Sequence, residues 1–390
     1  MTWLHALRRL DDALLPRSRV GRVLIDARTP MNIEMLAPVI RALDGDGGIC
    51  FAGTASEEPG KLHEIYKDAP ASVRPVAPWR ASLAKWSAYL TSDFTWATLP
   101  RGTARVQTFH GVAGKYRFDA PTASMRHWDR LFFINERRLT NCVRSGALDA
   151  DSRAIRLVGM PKVDCLVDGS LQRDRVLLDL GLDPSVPTVL YAPTWSPASS
   201  LNLMGVALVQ GLIDRPVNVI VKLHDRSRNL RGQYSGGVDW VTRLAPLFDR
   251  PGALLANTPN IAPLLAAADV LITDHSSAGF EYLLLDRPVV RIEIPDLIRD
   301  ADVHPDYVEL LAEASHNVRT AEYALRMVDR ALAEPRVKSA ARRRVAADLF
   351  YRPGSATLRA ARELCDLLQV SAPPSLALLE RKAESCAQIA

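Results

Sequence analysis

Cysteine is scarce in this chain: five residues in 390, at positions 50, 142, 165, 365 and 386, with no CxxC pair and no even, closely spaced framework. That pattern excludes a disulfide-built secreted scaffold, offers no zinc-ligand spacing, and fits a reducing compartment. Aromatic residues amount to only 6% and are not interleaved with basic ones, so a stacking platform for single-stranded nucleic acid is not expected and nucleic acid is not a partner. No stretch approaches the roughly 18 continuous apolar residues needed to span a bilayer, and the N-terminus lacks the apolar core of a signal peptide. A cytoplasmic protein is the expectation. There is no P-loop, no dinucleotide glycine fingerprint and no cluster of metal ligands, so neither a cofactor nor a metal is expected.

What is present is ordinary globular composition, 48% hydrophobic and 24% charged, in a chain longer than one hydrophobic core usually serves. Two domains follow. A net charge of +5 and a pI near 9.0 favour anionic partners. Trp3, Leu4, Leu7, Leu10, Leu14 and Leu15 recur at near-helical spacing beside Arg8, Arg9, Arg17 and Arg19. Such a helix packs on its own domain or lies on a membrane surface, and Asp11 and Asp12 dilute its positive charge.

Short β-rich runs alternate with helical patterns along the whole chain. The first series is Arg22 to Asp26, Gly48 to Gly53, Val106 to His110, Arg130 to Asn135 and Ile155 to Val158. The second is Thr188 to Ala192, Val217 to Leu223, Ala253 to Ala256, Val270 to Thr273 and Val289 to Ile292. This alternation predicts an α/β fold of two doubly wound, Rossmann-like domains facing a cleft, the GT-B arrangement. Dense punctuation between Gly159 and Pro187 puts the boundary near residue 170, giving domains 1–170 and 171–372 and a peripheral tail 373–390. The basic run Arg342 to Arg344 and the helical pattern Gly354 to Leu368 are expected to cross back toward the first domain.

Chemistry is sought at the carboxyl ends of the strands. Asp269 to Tyr282 reads as a buried strand ending at Asp274 and turning at once into a helix that opens with Ser276, Ser277, Ala278 and Gly279. Free N–H groups, small side chains and hydroxyls at the positive end of a helix make a phosphate seat; the bland reading is that one serine merely caps the helix. Thr194 and Trp195 end a second strand, and Lys222 and His224 a third. Singly, His224 reads as a loop histidine and Trp195 as a lid over the core. In the first half, His110 closes a strand before Gly111, Gly114 and Lys115. Its ordinary pKa suits a group that accepts a proton from an attacking hydroxyl; the alternative is a structural histidine in a glycine-rich turn.

These segments, in this order, resemble the CDP-glycerol glycerophosphotransferase family, the teichoic acid primases and polymerases of cell-wall and capsule synthesis. The resemblance rests on His110-Gly111 with Lys115, on Gly159-Met160-Pro161-Lys162-Val163-Asp164, on Tyr191-Ala192-Pro193-Thr194-Trp195, on Lys222-Leu223-His224 and on Asp269 to Tyr282. It implies a CDP-linked donor held by the second domain and a polyol-phosphate or glycan acceptor, lipid-linked in some cases, on the first. His110 is then the general base and His224 the group that neutralises the pyrophosphate as charge develops, with cytidine monophosphate leaving. Ser276, Ser277, Ala278 and Gly279 hold the pyrophosphate, Thr194 adds a hydroxyl, Lys115, Trp195, Lys222 and Asp274 line the donor site, Glu281 takes ribose hydroxyls, and Asn257 and Thr258 meet the base or ribose edge. His275 stands where the family more often has Tyr, Glu281 where it more often has Asp, and Ile294 to Asn317 lacks an Arg-Gly pair. The transferred group is therefore left open. The competing readings are a GT-B glycosyltransferase using a nucleotide sugar, a UDP-N-acetylglucosamine epimerase, and a nucleotide-binding protein without turnover.

Overall fold

A computed structural model of the chain describes residues 21–44, 48–93, 95, 97, 99–100, 102–116, 125 and 127–389. The N-terminal amphipathic pattern, Met1 to Arg19, lies outside the described residues. The chain forms two compact units. The first takes in the described residues of Met1–His110, Asp119–Asp164 and Phe350–Ala390, and the second Gly111–Phe118 and Cys165–Leu349.

The first unit is built on a seven-stranded sheet: β1 (Gly21–Asp26), β2 (Ile49–Thr54), β3 (Arg74–Pro75), β4 (Ala88–Thr91), β5 (Ala104–Thr108), β6 (Arg130–Phe133) and β7 (Ile155–Leu157), in the order β3-β2-β1-β4-β5-β6-β7. All neighbours pair in parallel. Helices cover the sheet, and the burial of Val23, Leu24 and Ile25 on both faces explains why β1 reads as an unbroken apolar run. The helix Pro30–Leu43 supplies Ile33, Leu36, Val39 and Ile40 to the core. The helix Ala356–Leu368 contributes Leu358, Ala361 and Leu364 to that same core, and Leu376 from the following helix is buried there too.

Asp164 ties this returning helix down. Its Oδ1 accepts the N–H groups of Gly354 (2.7 Å) and Ala356 (3.2 Å), and its Oδ2 accepts that of Thr357 (2.7 Å). Two of the donors that a helix start leaves without intrahelical partners, those of Ala356 and Thr357, and the Gly354 N–H just before the N-cap Ser355 are thereby satisfied by one carboxylate. Gly159 has φ +92, and a Cβ there would lie 2.6 Å from the Tyr351 carbonyl, so only glycine fits.

The second unit repeats the plan with β8 (Thr188–Tyr191), β9 (Asn218–Lys222), β10 (Ala253–Ala256), β11 (Val270–Thr273), β12 (Val289–Ile292) and β13 (His316–Val318), in the order β10-β9-β8-β11-β12-β13. Its pairs are also parallel. Four of these strands, β8, β9, β11 and β12, are buried along their whole length. In both sheets the strand order reverses once, between β1 and β4 and between β8 and β11. That is the doubly wound order, and the reversal is where such sheets open a crevice at their carboxyl ends. Arg342, first in the basic run, points inward: it is 1% exposed, with Nε on Asp286 Oδ1 (2.9 Å) and further N–H groups on the carbonyls of Asp286, Pro335 and Val337.

Candidate active site

In the second unit the reversal point is lined by the residues that follow β8 and β11. The two strands run in register, Leu190 beside Leu271 and Tyr191 beside Ile272, so Thr194 and Asp274 emerge together at the same end. Both are buried. Asp274 Oδ2 accepts the backbone N–H groups of Thr194 (3.2 Å) and Ser200 (3.3 Å). Lys115 Nζ donates to Thr194 Oγ1 at 2.8 Å. Burial pulls the Lys115 ammonium down to about 8, against the opposing pull of the Asp274 charge. Burial pushes the Asp274 carboxyl up to about 6, although the bonds from Ser200 and Thr194 and the Lys115 charge favour its ionised form. Asp274 Oδ1 finds no hydrogen-bond partner among the described residues. This end of the sheet therefore holds an ammonium and a carboxyl, each poised near neutrality.

Lys115 reaches this place because its segment, Gly111–Phe118, belongs to the second unit. His275 Nε2–H donates to the Ala113 carbonyl (2.7 Å), the His304 N–H to that of Gly114 (2.9 Å), and the Tyr116 N–H to that of Ala301 (2.9 Å). Gly114 has φ +62, and a Cβ there would fall 2.4 Å from Tyr307 Cδ2. Burial lowers His275 to about 3, so it is neutral and acts as a fastener for this segment.

The helix that follows β11, Ser277–Tyr282, is short. Ser276 is its cap: Oγ accepts the Gly279 N–H (3.3 Å) and lies 2.8 Å from Thr273 Oγ1, whose own proton goes to the Ala192 carbonyl (2.7 Å). The capping alternative describes Ser276, and the Gly279 N–H is engaged in the same cap. Gly279 is small because a Cβ would press on Thr273 Cγ2 (3.1 Å) and on Leu311. Ser277 and Ala278 are partly exposed in the first turn, and Ser277 Oγ lies 3.1 Å from where a Cβ on Gly111 would stand. Glu281 is buried one turn further on.

His224 follows β9 and caps the turn Asp225–Arg228, its Nδ1 accepting the Arg226 N–H at 3.1 Å. A neutral His224 accordingly carries its proton on Nε2. Its ring is 6.2 Å from that of Trp195. Lys222 is buried, its ammonium 2.7 Å from the Leu223 carbonyl and 3.9 Å from Asp225. Asn257 is exposed beyond the edge strand β10, and Thr258 Oγ1 accepts the Asn260 N–H (3.2 Å) to shape that loop. In the second unit Lys115, Thr194 and Asp274 thus form one bonded group and Trp195 and His224 an adjoining one, whereas Asn257 and Thr258 stand apart at the sheet edge.

In the first unit His110 lies just past β5, beside the end of β4. Its Nδ1–H donates to the Ser92 carbonyl at 2.5 Å, which leaves the lone pair of the neutral ring on Nε2. Burial lowers its pKa, as do the Arg138 and Lys162 charges, while Asp93 and the bond to Ser92 raise it. The net lowering keeps the ring neutral at pH 7. The two histidines therefore hold opposite tautomers: His110 offers a basic Nε2 and His224 an Nε2–H.

Sequence reasoning passed over Arg226, Tyr234 and Tyr116, which surround Trp195. It also missed the buried Asp26 at the end of β1, which accepts from Ser56 Oγ (2.5 Å), the Ser56 N–H (2.9 Å) and the Tyr89 hydroxyl (2.7 Å). An aspartate closing a strand was the available signal for Asp26; the others lie outside any motif.

Two doubly wound parallel sheets, with polar residues delivered to the carboxyl ends of their strands, are the architecture of the GT-B class. The sequence model of the CDP-glycerol:poly(glycerophosphate) glycerophosphotransferase family matches residues 73–365, and the chain belongs to that family. A teichoic acid poly(ribitol-phosphate) polymerase of Bacillus spizizenii is 43% identical over 53 residues, a stretch that is 13% of this chain and 9% of that polymerase. Among solved structures, the wall teichoic acid polymerase TagF superposes with a TM-score of 0.65 at 17% identity, covering 94% of each chain. A UDP-N-acetylglucosamine 2-epimerase fold from Listeria monocytogenes, described as putative in its own right, gives 0.58 at 15% identity over 91% of this chain and 98% of that one. Polymerase and epimerase share the fold, so the fold alone does not select the reaction. Among the described residues no helix is long and apolar enough to cross a membrane, and no cluster of side chains is arranged to hold a metal ion.

Proposed function

We propose that the protein transfers a polyol phosphate, glycerol phosphate or a close relative, from a CDP-linked donor to an acceptor hydroxyl in the synthesis of a teichoic-acid-like or capsule polymer. The acceptor hydroxyl attacks the donor's distal phosphorus, its proton passes to His110 Nε2, and the bond to the bridging oxygen breaks. The products are a new phosphodiester and cytidine monophosphate. His224 Nε2–H donates to the pyrophosphate as its charge shifts toward the leaving group, and the Lys115 ammonium adds positive charge beside Thr194. Ser277, Ala278 and the Thr194 hydroxyl contact the donor's phosphates, with Lys222 and Trp195 at the periphery and Glu281 on the ribose. The protein works in the cytoplasm, against the membrane face where its N-terminal segment meets anionic lipid.

The observation that carries this reading is the pair of opposed tautomers, each set by a backbone group: the Ser92 carbonyl on His110 and the Arg226 N–H on His224. A base and a proton donor are what phosphoryl transfer from a diphosphate requires. The test is a panel of CDP- and UDP-linked donors with the released nucleotide identified. Cytidine monophosphate supports phosphoryl transfer, whereas uridine diphosphate from a nucleotide sugar indicates glycosyl transfer.

A further inference from the structure

Past the ends of β8 and β9 two aromatic rings flank one guanidinium, and a third ring stacks on one of the two. Arg226 Cζ lies 4.4 Å from the centroid of Trp195 and 5.4 Å from that of Tyr234. Trp195 and Tyr234 meet edge to face at 5.6 Å, and Tyr116 stacks on Trp195 at 6.2 Å. The rings arrive on separate pieces of chain: the turn after β8, the short helix Gly232–Ser235, and the segment Gly111–Phe118. Among the described residues the Arg226 guanidinium has no hydrogen bond and no carboxylate within ion-pair distance; its contacts are with ring faces.

Local structure holds this arrangement in place. Asn202 Nδ2 donates to the Ser196 carbonyl (2.8 Å), and Asn202 Oδ1 accepts from Trp240 Nε1 (3.1 Å), fixing the turn that carries Trp195. Tyr116 sits at φ 58, a conformation that is unfavourable for a residue with a Cβ, and is 46% exposed. The backbone bond to Ala301 retains it there. An exposed ring kept in an unfavourable backbone conformation has little to contribute to folding. A guanidinium lying on aromatic faces keeps its planar N–H fork directed outward for a bidentate phosphate, while the rings offer flat apolar surface to CH groups. The Arg226 N–H also orients His224, so the fork and the imidazole are set by the same residue.

We propose that Arg226, Trp195, Tyr234 and Tyr116 form a subsite for a phosphorylated polyol, the fork taking the phosphate and the rings the carbon chain. This deepens the phosphotransfer reading and rests on it. Two sources present that chemistry: the transferred end of the donor, and the terminal unit of the growing acceptor.

The test begins with equilibrium binding of glycerol 3-phosphate to the full chain, followed by ligand-observed NMR, with glycerol and cytidine monophosphate as controls. The subsite predicts that glycerol 3-phosphate binds more tightly than glycerol. Arg226→Gln weakens it by about tenfold or more, as expected for a lost charge-assisted phosphate contact, and leaves cytidine monophosphate unaffected. Arg226→Lys, which keeps the charge without the fork, falls between. Unchanged glycerol 3-phosphate binding in Arg226→Gln, or an equal loss of cytidine monophosphate, overturns the proposal. Steady-state kinetics then separate the sources. A raised KM for CDP-glycerol assigns the subsite to the donor, a raised KM for a glycerol-phosphate-terminated acceptor assigns it to the acceptor, and movement of neither counts against it. A wild-type chain that binds glycerol 3-phosphate through Arg226 yet releases no cytidine monophosphate from CDP-glycerol defeats the donor reading and leaves the subsite standing.

Discussion

Replacing Asp164 with alanine should destabilise the first unit without touching the chemistry. The carboxylate accepts three backbone N–H groups, from Gly354, Ala356 and Thr357, and is itself buried. Losing an N-cap costs about 0.5–2 kcal/mol, and each further buried donor left without an acceptor adds about 1–3 kcal/mol unless water reaches it. With partial access for water the sum comes to about 3 kcal/mol. For a unit of this size, a urea slope of about 3 kcal/mol/M makes that a fall of about 1 M in the unfolding midpoint. Asp164→Asn retains an acceptor for Gly354 and Ala356 but sets an amide against the Thr357 N–H, and should lose about half as much. The assay is urea unfolding followed by far-UV circular dichroism, with turnover measured on the folded fraction at low temperature. An alanine variant with an unchanged midpoint would refute the capping argument. So would one that is fully stable yet inactive, because Asp164 would then be acting in the reaction.

Three further outcomes follow from the site. His110→Ala should reduce kcat by about a hundredfold or more, the usual worth of a positioned base, with donor affinity nearly intact; a fully active variant, measured by cytidine monophosphate release, removes His110 from the mechanism. Donor binding should weaken as pH rises through about 8, where Lys115 loses its proton, and Lys115→Arg should move that decline to higher pH, read as KM for CDP-glycerol against pH. The sign for stability is opposite: a lysine lowered from 10.5 to about 8 holds fewer protons folded than unfolded between those values, so stability rises with pH across that window. Gly114→Ala places a methyl 2.4 Å from the Tyr307 ring at a left-handed φ; it should cost about 1–3 kcal/mol and raise donor KM by displacing Lys115, and wild-type values for both contradict the packing argument.

Much of the fold was legible because parallel strands covered on both faces must be continuously apolar, as in Val189 to Tyr191 and Val219 to Val221. The strands that escaped notice lack that signature. Arg74–Pro75 is a two-residue, exposed edge, and His316–Val318 is polar and three residues long. Ala88–Thr91 is buried, but Ser87 before it and Thr91 and Ser92 at its end leave an apolar run of only three residues. Motif residues proved legible in position more than in role. Asp274 and Thr194 do meet at the reversal point. Ser276, however, reads identically as a phosphate ligand or a cap, because the same hydroxyl at a helix start serves either purpose, and Asp164 reads as part of a functional stretch while its bonds are those of a cap. Arg226 was not legible at all. Trp195 follows β8 whereas Arg226 and Tyr234 follow β9, and only the pairing of those two strands brings them together.

Phosphoryl transfer from a cytidine diphosphate donor is tested by the identity of the nucleotide released during turnover. Incubated with CDP-glycerol and a glycerol-phosphate-terminated acceptor, the protein should release cytidine monophosphate in step with phosphodiester formation, and the His110→Ala variant should not. Inertness toward every CDP-linked donor, together with uridine diphosphate release from a nucleotide sugar, would contradict phosphoryl transfer and indicate glycosyl transfer.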